Sequence, residues 1–240
     1  MTAHPEHEQE SEQTGALLSS CSALIPVKAL AAAKGRLAGY LTPAERAQLV
    51  LTMLHHVVTT LQATGRLSRI VVVSADERVR ACAVSWGAEG WPEAQPGHNA
   101  ALEAAARRLQ AEGVAALLTI SADLPWLKTE EVAALLAQAQ RYPVVLVPAH
   151  DGQGTNALLL RPPLLVPYLF GEQSLQRYCE AAQRRRLAYR CYESPGLALD
   201  IDTPEDLQRS GLAERWLSAR SSLHCLRERT PCQSLDIPQP

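Results

Sequence analysis

Three short runs of the chain are apolar without alternation: Ile70–Ser74 (IVVVS), Ala115–Ser121 (AALLTIS) and Val144–Pro148 (VVLVP). A strand with one wet face alternates apolar and polar residues, because successive side chains leave opposite sides. Continuous apolar runs instead suit strands covered on both faces, as in a largely parallel sheet between two layers of helices. The intervening segments read as helices. Thr42-Pro43 opens an amphipathic stretch to about Thr64, with Thr as N-cap and Pro in the first turn. Asp76 is placed to cap a helix through Ser85, and Asn99–Glu112, Thr129–Gln140 and Ser174–Arg185 follow the helical pattern. Ala23–Val27, Asn156–Leu160, Leu187–Tyr192 and Leu197–Ile201 add strands, the last before a helix at Pro204. This alternation predicts an α/β fold: a three-layer α/β/α Rossmann-like sandwich with a mostly parallel sheet. The closely spaced strands after Pro143 give it an antiparallel element at one edge.

Residues 1–20 are poor in apolar side chains and rich in Glu, Gln and Ser, which predicts a disordered extension. The stretch 221–240 reads as a tail of the same kind. One domain is expected over residues 21–220, a length that suits a single core.

Twenty-five acidic and 23 basic residues leave a formal charge of -2, so no general field attracts nucleic acid. An anionic ligand must be caught locally. Only three of the basic residues are lysines, and two of them, Lys28 and Lys34, fall in one loop. The six cysteines are scattered without metal-ligand spacing and read as reduced thiols. No apolar run approaches the roughly 18 residues of a membrane span. The N-terminal stretch is acidic where a signal peptide is basic and then apolar. The expected location is cytoplasmic, with no membrane partner.

Ligands of such sheets sit beyond the carboxyl ends of the strands, where the distinctive polar residues of this chain lie. The loop IPVKALAAAKGRL follows the first strand with small residues and three cations, Lys28, Lys34 and Arg36. Backbone amides with cations are what a triphosphate needs, the cations offsetting the charge of a departing pyrophosphate. Pro26, Val27 and Lys28 at this strand end, and Ser74 at the end of the next strand, are candidate nucleotide contacts. Gly97 and Asn99 at a helix entrance join them, since glycine permits close approach and an Asn amide can read a base edge. Asp123, two residues past the end of AALLTIS and followed by Leu-Pro, is a candidate metal ligand and catalytic residue. Asp200 and Asp202 alternate along the final predicted strand, so only one can share a cleft with Asp123. Asp202 is the candidate, with helix capping as its competing role. On the far side, Thr155 and Asn156 after the turn DGQGT, and Gly171 and Ser174 at a helix entrance, are candidates for holding an acidic acceptor. Neither G-x-x-x-x-G-K-[ST] nor G-x-G-x-x-G follows the first strand, which disfavours a P-loop enzyme and a dinucleotide-dependent oxidoreductase. His55-His56, Arg184–Arg186, Trp91 and Trp126 read as structural.

Taken in order, IPVKALAAAKGRL, GHNAAL, SADLP, DGQGTNALLL, FGEQSLQRY and LDIDTPEDL resemble the guanylyltransferases of deazaflavin coenzyme F-420 biosynthesis, within the MobA-like nucleotidyltransferase fold. The likeness covers roughly residues 23–210 and departs in reading GHN where that pattern has GLN. It implies a nucleotide-diphospho-sugar-transferase type of fold, GTP as co-substrate and magnesium. It also implies a phosphorylated three-carbon acid as acceptor: phosphoenolpyruvate, 2-phospho-L-lactate or 3-phosphoglycerate. By the same likeness Asp123 and Asp202 match the metal ligands, and Thr155, Gly171 and Ser174 the acceptor positions. A contact with the next transferase of that pathway is a further implication. The alternatives are another acceptor on the same fold, such as molybdopterin, or a nucleotide-binding regulatory module without catalysis.

Overall fold

A computed structural model describes residues 21–212. The expected N-terminal extension, the expected tail at 221–240 and residues 213–220 of the expected domain lie outside the described residues. Seven strands form one sheet: β1 (Cys21–Pro26), β2 (Arg69–Val73), β3 (Glu89–Trp91), β4 (Ala116–Ile120), β5 (Val144–Pro148), β6 (Thr155–Leu160) and β7 (Tyr189–Cys191). Their order is β3-β2-β1-β4-β6-β5-β7. Pairs β1–β2, β1–β4, β2–β3 and β5–β7 are parallel, whereas β6 runs antiparallel to both β4 and β5. The antiparallel strand β6 therefore lies two strands inside the edge expected for it, with β5 and, at the edge, β7 beyond it.

The helices are α1 (Pro43–Ala63), α2 (Glu77–Ser85), α3 (His98–Ala111), α4 (Thr129–Gln138), α5 (Ser174–Arg184), the single turn α6 (Pro195–Ala198) and α7 (Pro204–Arg209). Alternate strand residues explain the unbroken apolar runs. Ile70 and Val72 enter the core beneath α1, α2 and α4, while Val71 and Val73 enter the core beneath α3 and α5. Both sides are dry, and each such side chain contributes about 1.5–3 kcal/mol by leaving water. Thr42 caps α1 in a capping box with Glu45, and Asp76 caps α2 through the Arg78 amide.

Two differences from expectation have local causes. The strand β3, only Glu89-Gly90-Trp91, is too short for periodicity to show. A Cβ at Gly90 would stand 2.6 Å from the Arg80 carbonyl, so only glycine lets it run so close to α2. The strand expected at Leu197–Ile201 does not form. Pro195 starts the turn α6 there, and the Glu131 carboxylate of α4 accepts the Ser194 hydroxyl (2.5 Å) and the Gly196 amide (2.8 Å). A Cβ at Gly196 would collide with that carboxylate and with the Trp126 carbonyl.

A third apolar cluster matters most for function. Leu37 and Leu41 from the first loop and Leu49 and Met53 from α1 pack with Ile201 and Leu207. This cluster pins the segment after α6 against the loop after β1.

Candidate active site

Beyond Pro26 the chain turns out of β1 through two short 3-10 turns, Leu30–Ala32 and Gly35–Leu37. The Val27 amide still bonds the Val73 carbonyl (2.9 Å), and the Leu30 amide donates to Asp76 Oδ2 (3.0 Å). Asp76 thus caps α2 with one oxygen and anchors the loop with the other. Between the turns Lys34 takes the left-handed conformation, φ 52°, which is uncommon for a residue with a Cβ. Its side chain runs inward, and its Nζ hydrogen-bonds Asp123 Oδ2 and, at 2.9 Å, Asp202 Oδ1. One ammonium therefore joins two carboxylates 89 and 168 positions away. Burial works against the Lys34 charge, but Asp123 and Asp202 outweigh it and hold the proton more firmly than usual. Arg36 Nη1 stands 3.9 Å from Asp202 Oδ2 and is largely exposed.

The two acidic residues reach this point from different elements. Asp123 follows β4, and its carbonyl accepts the Ile201 amide (3.3 Å). Its other carboxylate oxygen, Oδ1, is buried without a hydrogen-bond partner. Asp202 precedes α7, and the expected competition with capping does not arise. Thr203 is the cap, in a capping box with Asp206, and Asp206 Oδ2 also accepts the Asp202 amide (3.1 Å). Asp200 goes elsewhere: its Oδ1 accepts from Asn156 Nδ2 (3.1 Å) and lies 3.5 Å from His150 Nδ1. Burial, reinforced by the charge of Asp123, raises the Asp200 carboxyl above the usual range. The other ring nitrogen of His150 is 3.3 Å from Asp206 Oδ1, so His150 ties the turn after β5 to the segment bearing Asp202.

These groups face a cavity of about 530 Å³ whose wall includes Pro26, Val27, Lys28, Lys34, Arg36, Asp123 and Asp202. His98 and Phe170, which were not among the candidate site residues, line it as well, with their rings edge to face at 5.8 Å. Burial and the nearby Lys28 lower the His98 pKa. Gly97, at φ 98°, turns the chain into α3 just before His98.

The other candidates hydrogen-bond within the protein. Ser74 is buried, and its hydroxyl accepts the Asp76 amide (3.1 Å). The Asn99 amide does not face the cavity; it bonds the backbone of Phe170 at both ends. Asn156 directs its Nδ2 at the Leu197 and Ala198 carbonyls and Asp200. Thr155 and Ser174 are buried and hydrogen-bond each other (3.1 Å), beside Gly171 at φ 120° and a left-handed Gln173. The helix cap of α5 is Gln173, not Ser174.

The sheet and the site together define a nucleotidyltransferase. Among solved structures, a putative nucleotide-diphospho-sugar transferase from Desulfovibrio desulfuricans G20 superposes with a TM-score of 0.65 at 19% identity, covering 78% of this chain and 84% of that one. A 4-diphosphocytidyl-2C-methyl-D-erythritol synthase gives a TM-score of 0.51 at 16% identity over 80% of this chain and 97% of that one. At these identities the likeness is one of fold. Within the class, this chain belongs to the family described as "Guanylyl transferase CofC like", whose model matches residues 21–218. A protein of Rubrobacter xylanophilus named phosphoenolpyruvate guanylyltransferase is 46% identical over 191 residues, 79% of this chain and 93% of that one. One of the same name from Chloroflexus aggregans is 41% identical over 195 residues, 80% of this chain and 96% of that one.

Proposed function

We propose that this enzyme transfers GMP from GTP to phosphoenolpyruvate and releases pyrophosphate, as a step of deazaflavin coenzyme F-420 biosynthesis. The observation that carries the reading is the meeting of Asp123, Asp202 and Lys34 at the wall of one cavity beyond the strand ends. The relatives' name supports phosphoenolpyruvate over the other phosphorylated acids.

The residues fit a divalent ion. Asp123 Oδ1 is a buried carboxylate oxygen without a partner, and an ammonium already occupies the space between Asp123 and Asp202. Among the described residues no group of three or more His, Cys, Asp or Glu is arranged for metal. A pair of carboxylates suits magnesium, which keeps water and phosphate oxygens in its remaining positions. Asp123 and Asp202 would hold it. When bound, the ion supplies positive charge to the α-phosphate and a template for the two phosphates.

The protein's own groups do the rest. The acceptor's phosphate is ionised at neutral pH, so its oxygen attacks the α-phosphorus without a general base, and the bond to pyrophosphate breaks. Two anions must be aligned against their repulsion, and that is a positioning task. Lys28, Lys34 and Arg36 offset the charge that grows on pyrophosphate. Pro26 and Val27 offer backbone to the nucleotide, with Gly97 shaping the helix entrance, while Ser74 and Asn99 hold the frame around it. Thr155, Asn156, Gly171 and Ser174 support the acceptor end. The substrates are small molecules and the setting is cytoplasmic; among the described residues no helix is long and apolar enough to cross a membrane.

The test is purified protein with GTP and magnesium, offered phosphoenolpyruvate, 2-phospho-L-lactate and 3-phosphoglycerate in turn, with pyrophosphate measured. Release with phosphoenolpyruvate well above the other two is expected. Equal or greater release with either rival would change the acceptor, and none with any of them would remove the reading.

A further inference from the structure

The place between the two acidic side chains is taken by a cation of the protein's own. The Lys34 ammonium hydrogen-bonds both Asp123 and Asp202, and its side chain is only 8% exposed. An ammonium and a divalent ion compete for the same pair of carboxylates, because like charges close together repel strongly where water is scarce. The loop around Lys34 is held: Leu30, Ala33 and Leu37 are buried, and the Leu30 amide is tied to Asp76. Lys34 sits in a left-handed backbone conformation between two three-residue turns. Its long side chain borders the cavity, so it can exchange the two carboxylates for a phosphate without moving the loop. Arg36, 74% exposed, remains in solvent and is no substitute for it.

We propose that Lys34 is a resident counter-ion that keeps divalent metal out until nucleotide arrives. The triphosphate gives the ammonium a new anionic partner, Lys34 turns to it, and Asp123 and Asp202 are released to the metal. Nucleotide and metal binding are then coupled through one side chain, and the coupling is reciprocal. This inference rests on the assignment of Asp123 and Asp202 to the metal under the proposed function.

Manganese, followed by loss of its free-ion paramagnetic resonance signal, is the probe, titrated into nucleotide-free protein. Wild type should bind it weakly and Lys34→Met more tightly, by roughly 5- to 150-fold, the usual range of such couplings. Adding Asp123→Asn to Lys34→Met should abolish the gain. Equal affinities of wild type and Lys34→Met would overturn the counter-ion role. A gain that survives Asp123→Asn would mean the ion binds elsewhere, and the metal assignment would fall with it.

A second measurement needs no variant at position 34. The chain has three lysines, Lys28, Lys34 and Lys128, so a lysine-labelled sample gives three side-chain ammonium environments by NMR. Lys28→Arg and Lys128→Arg identify the Lys34 signal by elimination. That signal should stay in place as magnesium alone is added and move when magnesium and GTP are added together. Movement with magnesium alone, or none with both, would refute the proposal.

Discussion

Asn99 grips Phe170 by both ends of its amide: Nδ2 donates to the Phe170 carbonyl and Oδ1 accepts the Phe170 amide, each at 3.0 Å. The pair joins the start of α3 to the loop before α5 across 71 positions, and it fixes a ring that lines the cavity. Asn99→Ala removes both bonds and leaves two backbone groups to find water. Such bonds are worth about 0.5–1.5 kcal/mol each, so a stability loss of about 1–3 kcal/mol is expected in denaturant unfolding. The KM for at least one substrate should rise with it. Unchanged stability would mean that the loop is held by other contacts.

Asp123 is the acidic residue with the most to lose from neutralisation. Asp123→Asn keeps the shape and removes the charge facing Lys34. Guanylyl transfer should fall by at least about a hundredfold, or roughly 3 kcal/mol of barrier, in protein that is still folded. Pyrophosphate release at more than a tenth of the wild-type rate would remove Asp123 from the chemistry.

Much of this geometry was legible in the chain itself. IVVVS and AALLTIS announced strands buried on both faces, and the position of Asp123 after the second run placed it at the rim of the sheet. Asp200 and Asp202 do part company as alternation suggested, though no strand forms there. Glu131 draws the chain into a turn, and Asn156 and His150 take Asp200 while Lys34 takes Asp202. That partition depends on groups 44 to 168 positions distant, which no local pattern encodes. The same limit hid the cavity lining. Asn99 reads from the sequence as a free amide at a helix start, because its partner Phe170 is visible only once the sheet has folded. His98 and Phe170 lie within two of the family-like runs, but nothing local shows that both rings turn to one cavity. Lys34 was expected as a phosphate-loop cation, and its hold on two carboxylates was not legible.

Away from the site, Arg69 sits between Glu89 and Glu112, with its Nε 2.6 Å from Glu89 Oε1. The Arg69 guanidinium bonds the Glu89 carboxylate and holds its pKa below the usual value, against a smaller opposing effect of burial. A carboxylate depressed in the folded state stabilises above its unfolded pKa of about 4.3 and loses that contribution as pH falls through the lower folded value. The melting temperature of wild type should therefore drop below about pH 4.3 more steeply than that of Glu89→Gln. Both groups are partly exposed, so the difference should be modest and shrink in high salt. Parallel profiles from pH 6 to pH 2 would show that the pair adds nothing to stability.

Ser174 and Thr155 offer the sharpest division between frame and function. Their hydroxyls bond each other at 3.1 Å in a buried setting, so Ser174→Ala leaves the Thr155 hydroxyl without that partner, at a cost of about 1–3 kcal/mol. Thr155→Val with Ser174→Ala removes both partners, and its cost should fall short of the sum of the single changes. A frame-only role predicts KM values for GTP and acceptor that change together or not at all. The acceptor role predicts that Ser174→Ala raises the phosphoenolpyruvate KM several-fold more than the GTP KM. The two residues stand where β6 meets the entrance of α5, while Lys28 and Lys34 lie on the loop after β1, so the cost should fall on the acceptor. Equal shifts in initial-rate measurements with each substrate varied would move the acceptor site away from this pair.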